Sequence, residues 1–241
     1  MGILEYILLI LVIGGGAFVQ RVTGFGMGIF AMLFLPYFLP SSGASAAVIG
    51  MLSCVINVYH GVAQRKHILW KTMLPAACVA LAVIPLAVHL SADLPQAVLE
   101  RLLGVVLMVL SVYFLFFSKR IHLNPTAPNG MLAGALGGML NGLFSTGGPP
   151  VVLYLIHATM DKMAYFATIQ AYFGITNLFS TANRLLNGII TPQIAGMAAV
   201  ALIGLALGDR LGNKVFDKLD ADRLRKVIYV GMLFSGMLMI L

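Results

Sequence analysis

The sequence predicts an all-α integral membrane protein of about ten hydrophobic helices, arranged as two inverted five-helix repeats with broken or re-entrant hairpins. Composition, the spacing of charges and a weak internal repetition predict this fold. Of 241 residues, 60% are hydrophobic and 10% are charged, and mean hydropathy is +0.98. A soluble domain carries about 25% charged residues, and a soluble fold of this size cannot bury so much apolar surface. A soluble enzyme, a disordered chain and a secreted disulfide scaffold are therefore excluded.

Long uncharged stretches define the helices. A membrane-spanning helix needs about 20 apolar residues, and the uncharged stretches 22–64 and 121–160 are each long enough for two helices. The alternating pattern of barrel strands is absent. The predicted helix 149–160 is too short to cross a membrane alone. The predicted helices are 3–20, 24–39, 43–63, 70–90, 98–118, 129–144, 149–160, 163–183, 190–208 and 223–241.

The positions of the positive charges predict the orientation. The net charge of +7 is spread over short loops between hydrophobic helices, whereas a nucleic-acid-binding protein gathers its charge on one exposed face. With ten helices, Arg101 and Arg184 fall on one side and Arg21 is set aside. The positive-inside rule then makes the other side cytoplasmic and turns both termini outward. That side carries Arg65, Lys66, Lys71, Lys119, Arg120, Lys162, Arg210, Lys214, Lys218, Arg223, Arg225 and Lys226.

A weak internal repetition divides the chain into halves. A shift of 122 positions places 20–28 over 142–150, and a shift of 120 places 56–59 over 176–179. Matches in the same order, with a slowly drifting offset, indicate duplication. Because five helices per repeat is an odd number, the second repeat must enter the membrane from the opposite side, as in many secondary transporters. The predicted units are a first repeat at 1–118, a cytoplasmic linker at 119–128 and a second repeat at 129–241.

The corresponding segments 20–28 and 142–150 form the predicted substrate site. Glycine and proline at this density end helices, and open backbone at membrane depth is tolerated only in a cavity or inside protein. A helix that restarts after such a break directs free N–H groups and a positive dipole end at the cavity, which favours an anion. The candidate residues at the two breaks are Gln20, Arg21, Thr23, Gly24, Gly26, Asn141, Ser145, Thr146, Gly147 and Gly148.

These features also have a simpler interpretation. Glycine-rich stretches allow close helix packing without binding anything, and Arg21 could belong to a cytoplasmic loop. Asn57 and Asn177 match between the halves, and Gln170 lies within a hydrophobic helix; each either faces the cavity or hydrogen-bonds between helices. Arg184 either recruits anions or only anchors the outer end of its helix. The sequence leaves these alternatives open.

Acidic residues fall at the ends of the predicted helices or in loops. Cation transporters and proton-coupled antiporters usually keep a carboxylate inside the membrane, a metalloenzyme needs a His/Asp/Glu cluster, and a catalytic nucleophile needs a nearby base. The sequence has none of these patterns, so no enzymatic activity, metal or cofactor is expected. His60, within a long uncharged stretch, is either a proton relay or a satisfied interfacial histidine. The acidic residues are Glu5, Asp93, Glu100, Asp161, Asp209, Asp217, Asp220 and Asp222.

Two motifs carry a family resemblance: Val-Gln-Arg-Val-Thr-Gly-Phe-Gly at 19–26 and Ser-Thr-Gly-Gly-Pro-Pro-Val-Val-Leu-Tyr at 145–154. They resemble the sulfite exporter TauE/SafE family, also called the 4-toluene sulfonate uptake permeases, and the resemblance covers nearly the whole chain. It implies a transporter of small sulfur-containing anions, sulfite or organosulfonates, in the bacterial inner membrane. Phe166 stands where the family often has an Arg before Ala-Thr, which implies a different affinity or substrate.

The predicted function is therefore secondary transport of a small sulfur-containing anion. The anion would sit at the membrane midplane between the two broken hairpins, and access would alternate as one repeat moves against the other. The expected partners are the anion and the lipid bilayer, with no nucleic acid, and homo-oligomerisation is left open. The alternatives are a transporter of a carboxylate, neutral or cationic solute, and a membrane subunit without transport activity.

Overall fold

The computed structural model describes residues 2–117, 124–158, 161–215 and 221–240, and within these ranges the chain forms α-helices and no strands. This confirms the all-α class, and most helix bounds lie within a few residues of the predicted ones. The helices are α1 Ile3–Thr23, α2 Met27–Met32, α3 Ser42–Ala63, α4 Trp70–Asp93, α5 Gln96–Val112, α6 Ala127–Phe144, α7 Gly148–Ala158, α8 Lys162–Leu186, α9 Pro192–Val215 and α10 Ala221–Ile240.

Five helices of the described chain are long and apolar enough to cross a membrane: α1, α3, α4, α9, and α5 with its continuation to Phe117. That continuation is a π-helical turn, Tyr113–Phe117. Helix α8 has 25 residues but is not one of the five. Its buried face carries several polar side chains, among them Gln170, Asn177 and Arg184.

Helix α2 corrects the predicted helix 24–39. Gly24 and Gly26 both have positive φ, 84° and 104°, so the helix cannot begin before Met27. It ends after six residues, and a short 3₁₀ turn, Leu35–Tyr37, follows it. Pro36 in that turn lacks the N–H that would continue an α-helix. The second half of the predicted helix 24–39 is therefore not α-helical.

Two other predicted boundaries can be compared with the structure. Of the predicted linker 119–128, residues 119–123 lie outside the described ranges, and α6 already begins at Ala127. Helix α9 continues to Val215, beyond the predicted end at 208. The sequence analysis places Asp209 at the end of a helix, whereas in the structure Asp209 lies within α9.

Helices α1 and α9 pack backbone to backbone through glycines. In α9, Gly204, Gly208 and Gly212 are four residues apart and face α1. A Cβ atom on Gly208 would overlap the carbonyl oxygen of Gly14, and one on Gly212 would lie 2.7 Å from Cβ of Arg21. Small residues at this spacing let membrane helices approach closely. The contacts advance along both helices together, so the pair is parallel.

Helices α4 and α6 form a second pair of this kind. Gly134, Gly138 and Gly142 of α6 are four residues apart and face α4. A Cβ atom on Gly134 would overlap the carbonyl oxygen of Ala76, and one on Gly138 would lie 2.9 Å from Cα of Ala80. These contacts also advance in the same direction along both helices, so α4 and α6 are parallel.

The remaining large helix contacts are antiparallel. Gly61 of α3 packs against Ala171 of α8, whereas Gly174 packs earlier on α3. In the α5–α10 pair, Ser111 Oγ donates to the carbonyl of Tyr229 at 2.6 Å, and Gly104 packs against a residue further along α10. Helices α3 and α8 also contact α9 and α4, respectively. They therefore join the two parallel pairs at the centre of the molecule.

The α1–α9 contact predicts a contrast between two glycines of the same helix. Gly208→Ala is expected to lower the free energy of unfolding by about 1–3 kcal/mol, because a tightly packed contact cannot accept an added methyl group. Gly196→Ala is the matched control, since nothing lies within 4 Å of the added Cβ atom. Thermal unfolding in detergent measures both, and equal midpoints for the two variants would contradict the packing described here.

Candidate functional site

Two helix ends inside the protein define the site. Helix α1 ends at Thr23, and the N–H of Gly24 donates to the carbonyl of Gln20 at 2.8 Å. Helix α6 ends at Phe144, and the N–H of Ser145 donates to the carbonyl of Asn141 at 2.9 Å. Gly24 and Ser145 both adopt the left-handed conformation that commonly closes a helix. The two ends therefore correspond at an offset of 121, one less than the sequence comparison suggested.

A small central cavity lies between these helix ends. It provides about 30 Å³ of space, enough for one or two water molecules. Nine of the predicted site residues line it: Gln20, Gly26, Asn57, Asn141, Ser145, Thr146, Gly147, Gly148 and Asn177. The other lining residues are Gly28, Ile29, Ser53 and Phe173.

Four amide side chains, from α1, α3, α6 and α8, face the central cavity. Gln20 Nε2 donates to Asn57 Oδ1, and Asn177 lies on the α8 side. Asn141 Oδ1 and the Thr146 hydroxyl are buried without a hydrogen-bond partner. An unpaired buried polar atom costs about 1–3 kcal/mol, and a rotated amide presents its N–H₂ group instead of its oxygen. The central cavity is therefore suited to a small polar ligand, which would supply the hydrogen-bond partners that Asn141 and Thr146 lack.

The starts of α2 and α7 both lie at the central cavity, but they differ in their backbone donors. The first turn of a helix has N–H groups without intrahelical partners, and Gly28 and Ile29 lie in that turn. Helix α7 begins at Gly148, but Pro149 and Pro150 follow and carry no N–H. The two helix starts are thus unequal, although the sequence suggested two similar ones.

Three other predicted site residues lie near the end of α1, outside the central cavity. The Thr23 hydroxyl donates to the carbonyl of Phe25 at 2.6 Å and so closes the turn after α1. Gln170 Nε2 donates to the carbonyl of Gly24 at 3.1 Å, which ties α8 to the end of α1. For Gln170, the structure therefore shows a hydrogen bond between helices.

Arg21 lies in the last turn of α1 and not in a loop. Its guanidinium contacts Asn213 Oδ1, lies 3.3 Å from His60 Nδ1 and stands 5.5 Å over the ring of Phe166. His60 Nε2 is in turn 2.9 Å from Asp209 Oδ1. Arg21 thus belongs to a second, larger cavity of about 230 Å³, whose lining residues are Arg21, Gln64, Asp161, Lys162, Met163 and Phe166.

Comparison with known proteins gives the family. The model of the family described as sulfite exporter TauE/SafE matches residues 7–239. The chain belongs to this family. It is also similar to the probable sulfite/organosulfonate exporter TauE of Cupriavidus necator, with 23% identity over 227 residues that cover 90% of this chain and 86% of that protein. No solved structure matches the chain significantly.

Membership of the TauE/SafE family confirms the resemblance seen in the two motifs. The protein is a multi-pass membrane transporter and not an enzyme. As in the sequence prediction, the family implies a small anion as the substrate. This agrees with a central cavity that no carboxylate lines among the described residues.

The four lining residues absent from the prediction have identifiable signals. Ser53 lies one helical turn before Asn57, and Phe173 lies one turn before Asn177, so both share a helix face with a predicted residue. Gly28 ends the predicted segment 20–28 without being one of its candidate residues, and Ile29 follows directly after that segment. Ser53 and Phe173 also correspond to each other at the offset of 120 that relates the two asparagines.

The bond between α8 and the end of α1 predicts a stability effect. Gln170→Met keeps the shape but removes the donor to the Gly24 carbonyl, so it is expected to lower the free energy of unfolding by about 1–3 kcal/mol. Gln193→Met, at an exposed position of α9, is the control and should change little. Thermal unfolding measures both, and an unchanged midpoint for Gln170→Met would show that the bond contributes nothing.

Proposed function

We propose that this TauE/SafE transporter exports sulfite or a similarly small sulfur oxyanion, which binds in the central cavity. The observation that carries the proposal is a small cavity lined by four amides, three buried hydroxyl side chains and backbone donors, without a carboxylate among the described residues. The name of the similar protein from Cupriavidus necator, a probable sulfite/organosulfonate exporter, supports the substrate class. With about 30 Å³ of space, the central cavity must widen for any such anion, and it must widen less for sulfite than for an organosulfonate.

The helix packing supports two inverted repeats, 1–118 and 129–241. In an inverted repeat each helix of the first half corresponds to the helix five places later, so α1 corresponds to α6 and α4 corresponds to α9. The parallel pair α1–α9 then corresponds to the parallel pair α6–α4. The same exchange pairs α3 with α8 and α5 with α10, and both pairs are antiparallel. Counterparts that run in opposite directions are what an inverted repeat requires, whereas a direct repeat would place them parallel.

The proposed membrane placement follows from charge and from this symmetry. The side with the loops around Arg65 and Lys162 is cytoplasmic, and both termini face outward in a bacterial inner membrane. The central cavity then lies near the midplane, between the α1 end that points inward and the α6 end that points outward. The larger cavity that contains Arg21 and Lys162 opens toward the cytoplasm and gives anions an electropositive entry.

The membrane potential can drive this export. The cell interior is negative, so moving one negative charge outward gains about 2.3 kcal/mol per 100 mV. The partly buried carboxylate of Asp209 is bonded to His60 and lies outside the central cavity. Export of a small anion would therefore need no coupling ion, and access would alternate as one repeat moves against the other.

A charge placed in the central cavity tests the anion proposal. Asn177→Asp puts a carboxylate against the substrate, and two like charges about 4 Å apart repel by about 4 kcal/mol at an effective dielectric constant of about 20. Sulfite efflux from proteoliposomes at pH 8 is expected to fall at least about tenfold. Asn183→Asp on the same helix is the control, because the Asn183 amide donates only to the carbonyl of Phe179 within α8, at a partly exposed position.

The outcomes separate the substrate classes. Loss of sulfite efflux in Asn177→Asp alone supports an anion in the central cavity. Equal efflux in both variants would place the substrate elsewhere, and uptake of a cation that Asn177→Asp strengthens would favour a cationic solute. Both proteins are first shown to be folded by their thermal midpoints.

A further inference from the structure

The most deeply buried charge in the described chain is Arg184, near the outer end of α8. Its side chain is 1% exposed. Nη1 donates to Ser180 Oγ at 2.6 Å, and Nη2 donates to the carbonyls of Asn141 and Gly142 at 3.0 and 2.8 Å. Nε is buried without a partner. All these acceptors are neutral, and no carboxylate pairs with Arg184 among the described residues.

Such a charge is unfavourable unless something compensates it. Removing an arginine from water is expensive, and neutral hydrogen bonds offset only part of the loss. The carbonyl end of α6 supplies a partial negative charge, because the helix dipole places its negative pole at the C-terminus. A full positive charge against a partial negative one leaves a net positive field inside the protein.

This field acts on the central cavity. Asn141, whose carbonyl accepts from Arg184, has its side chain in the cavity wall. A Cβ atom on Gly50 would lie 3.1 Å from Ser145 Oγ and 3.4 Å from Arg184 Nη1, so both groups pack against Gly50. Ser145 also lines the central cavity. Arg184 therefore stands directly behind the cavity wall.

Arg21 occupies the corresponding place in the other half. By the offsets of 121 and 120, Arg21 corresponds to Gly142 and His60 corresponds to Ser180. The Arg21 guanidinium contacts His60, and the Arg184 guanidinium contacts Ser180 and the Gly142 carbonyl. The two guanidiniums are thus in equivalent positions although they come from different helices. One lines an open cavity, and the other is sealed.

We propose that Arg184 is the specificity-determining charge of the central cavity and that it makes the cavity selective for anions from behind the wall formed by Asn141 and Ser145. This inference rests on the proposed function, since it assumes that the transported anion binds in the central cavity. Binding of the anion supplies the counter-charge that Arg184 lacks. The buried Arg184 guanidinium then attracts the substrate from the outer side of the central cavity, while Arg21 lines the second, larger cavity.

The test cancels this charge without removing the arginine. Thr181 Oγ1 and Arg184 Nη1 would each lie 3.4 Å from a Cβ atom added to Gly50. The buried Thr181 Oγ1 has no hydrogen-bond partner. Thr181→Asp places a carboxylate beside the guanidinium, and Thr181→Asn is the neutral control of equal size. In proteoliposomes, Thr181→Asp is expected to raise KM for sulfite efflux at least about tenfold, while Thr181→Asn stays within about twofold of the unmodified protein. Thermal stabilisation by added sulfite is expected to fall in parallel.

Two substitutions of the arginines complete the design. Arg184→Gln should raise KM as Thr181→Asp does, and Arg101→Gln, which removes the exposed outer-side arginine of α5, should leave KM unchanged. If Arg184→Gln fails to fold, the Thr181 pair still decides the question. A purely structural role for Arg184 predicts equal KM values for Thr181→Asp and Thr181→Asn, and that result would overturn the inference. Absence of sulfite efflux from the unmodified protein would instead contradict the proposed function itself.

Discussion

Two helices that end inside the protein impose the constraint on which the site depends. The last carbonyls of a helix have no intrahelical donors, and at the buried ends of α1 and α6 bulk water cannot satisfy them. The protein supplies both sets of donors from α8: the Gln170 amide reaches the Gly24 carbonyl, and the Arg184 guanidinium reaches the carbonyls of Asn141 and Gly142. Helix α8 is consequently too polar to resemble an ordinary span.

The same solution uses different residues in the two halves. At the end of α6, Ser145 faces Gly50, whereas at the end of α1, Gly24 faces Gln170. Gly50 and Gln170 correspond at the offset of 120. At each of these two helix ends, one partner is a glycine and the other carries a polar side chain, but the glycine belongs to the packed helix at the end of α6 and to the helix end itself at α1. The two glycine triplets show the same exchange. One lies on α6 and packs against α4, whereas the other lies on α9, the counterpart of α4, and packs against α1, the counterpart of α6.

This exchange explains what the sequence could and could not predict. Hydrophobic length predicts most helix bounds, because most of the charges lie near the ends of the membrane helices or in loops. The repeat was faint because contacts are preserved by complementary sizes and not by identical residues. The sequence predicts Arg21 at the site because it lies beside the first glycine break, but Arg21 and Gln20 are successive residues of α1 and point in different directions. Arg184 stood alone in the sequence, and only the path of α6 shows that it stands behind the cavity wall.

The measurement that tests the central claim most directly is efflux of sulfite from proteoliposomes under an imposed membrane potential. The account predicts saturable efflux that speeds up when the lumen, from which sulfite leaves, is negative, by up to about tenfold per 60 mV for each charge moved. It also predicts slower efflux of a bulky aryl sulfonate, because the central cavity is small. Folded protein that moves no sulfite, or moves it without regard to the potential, would contradict the account.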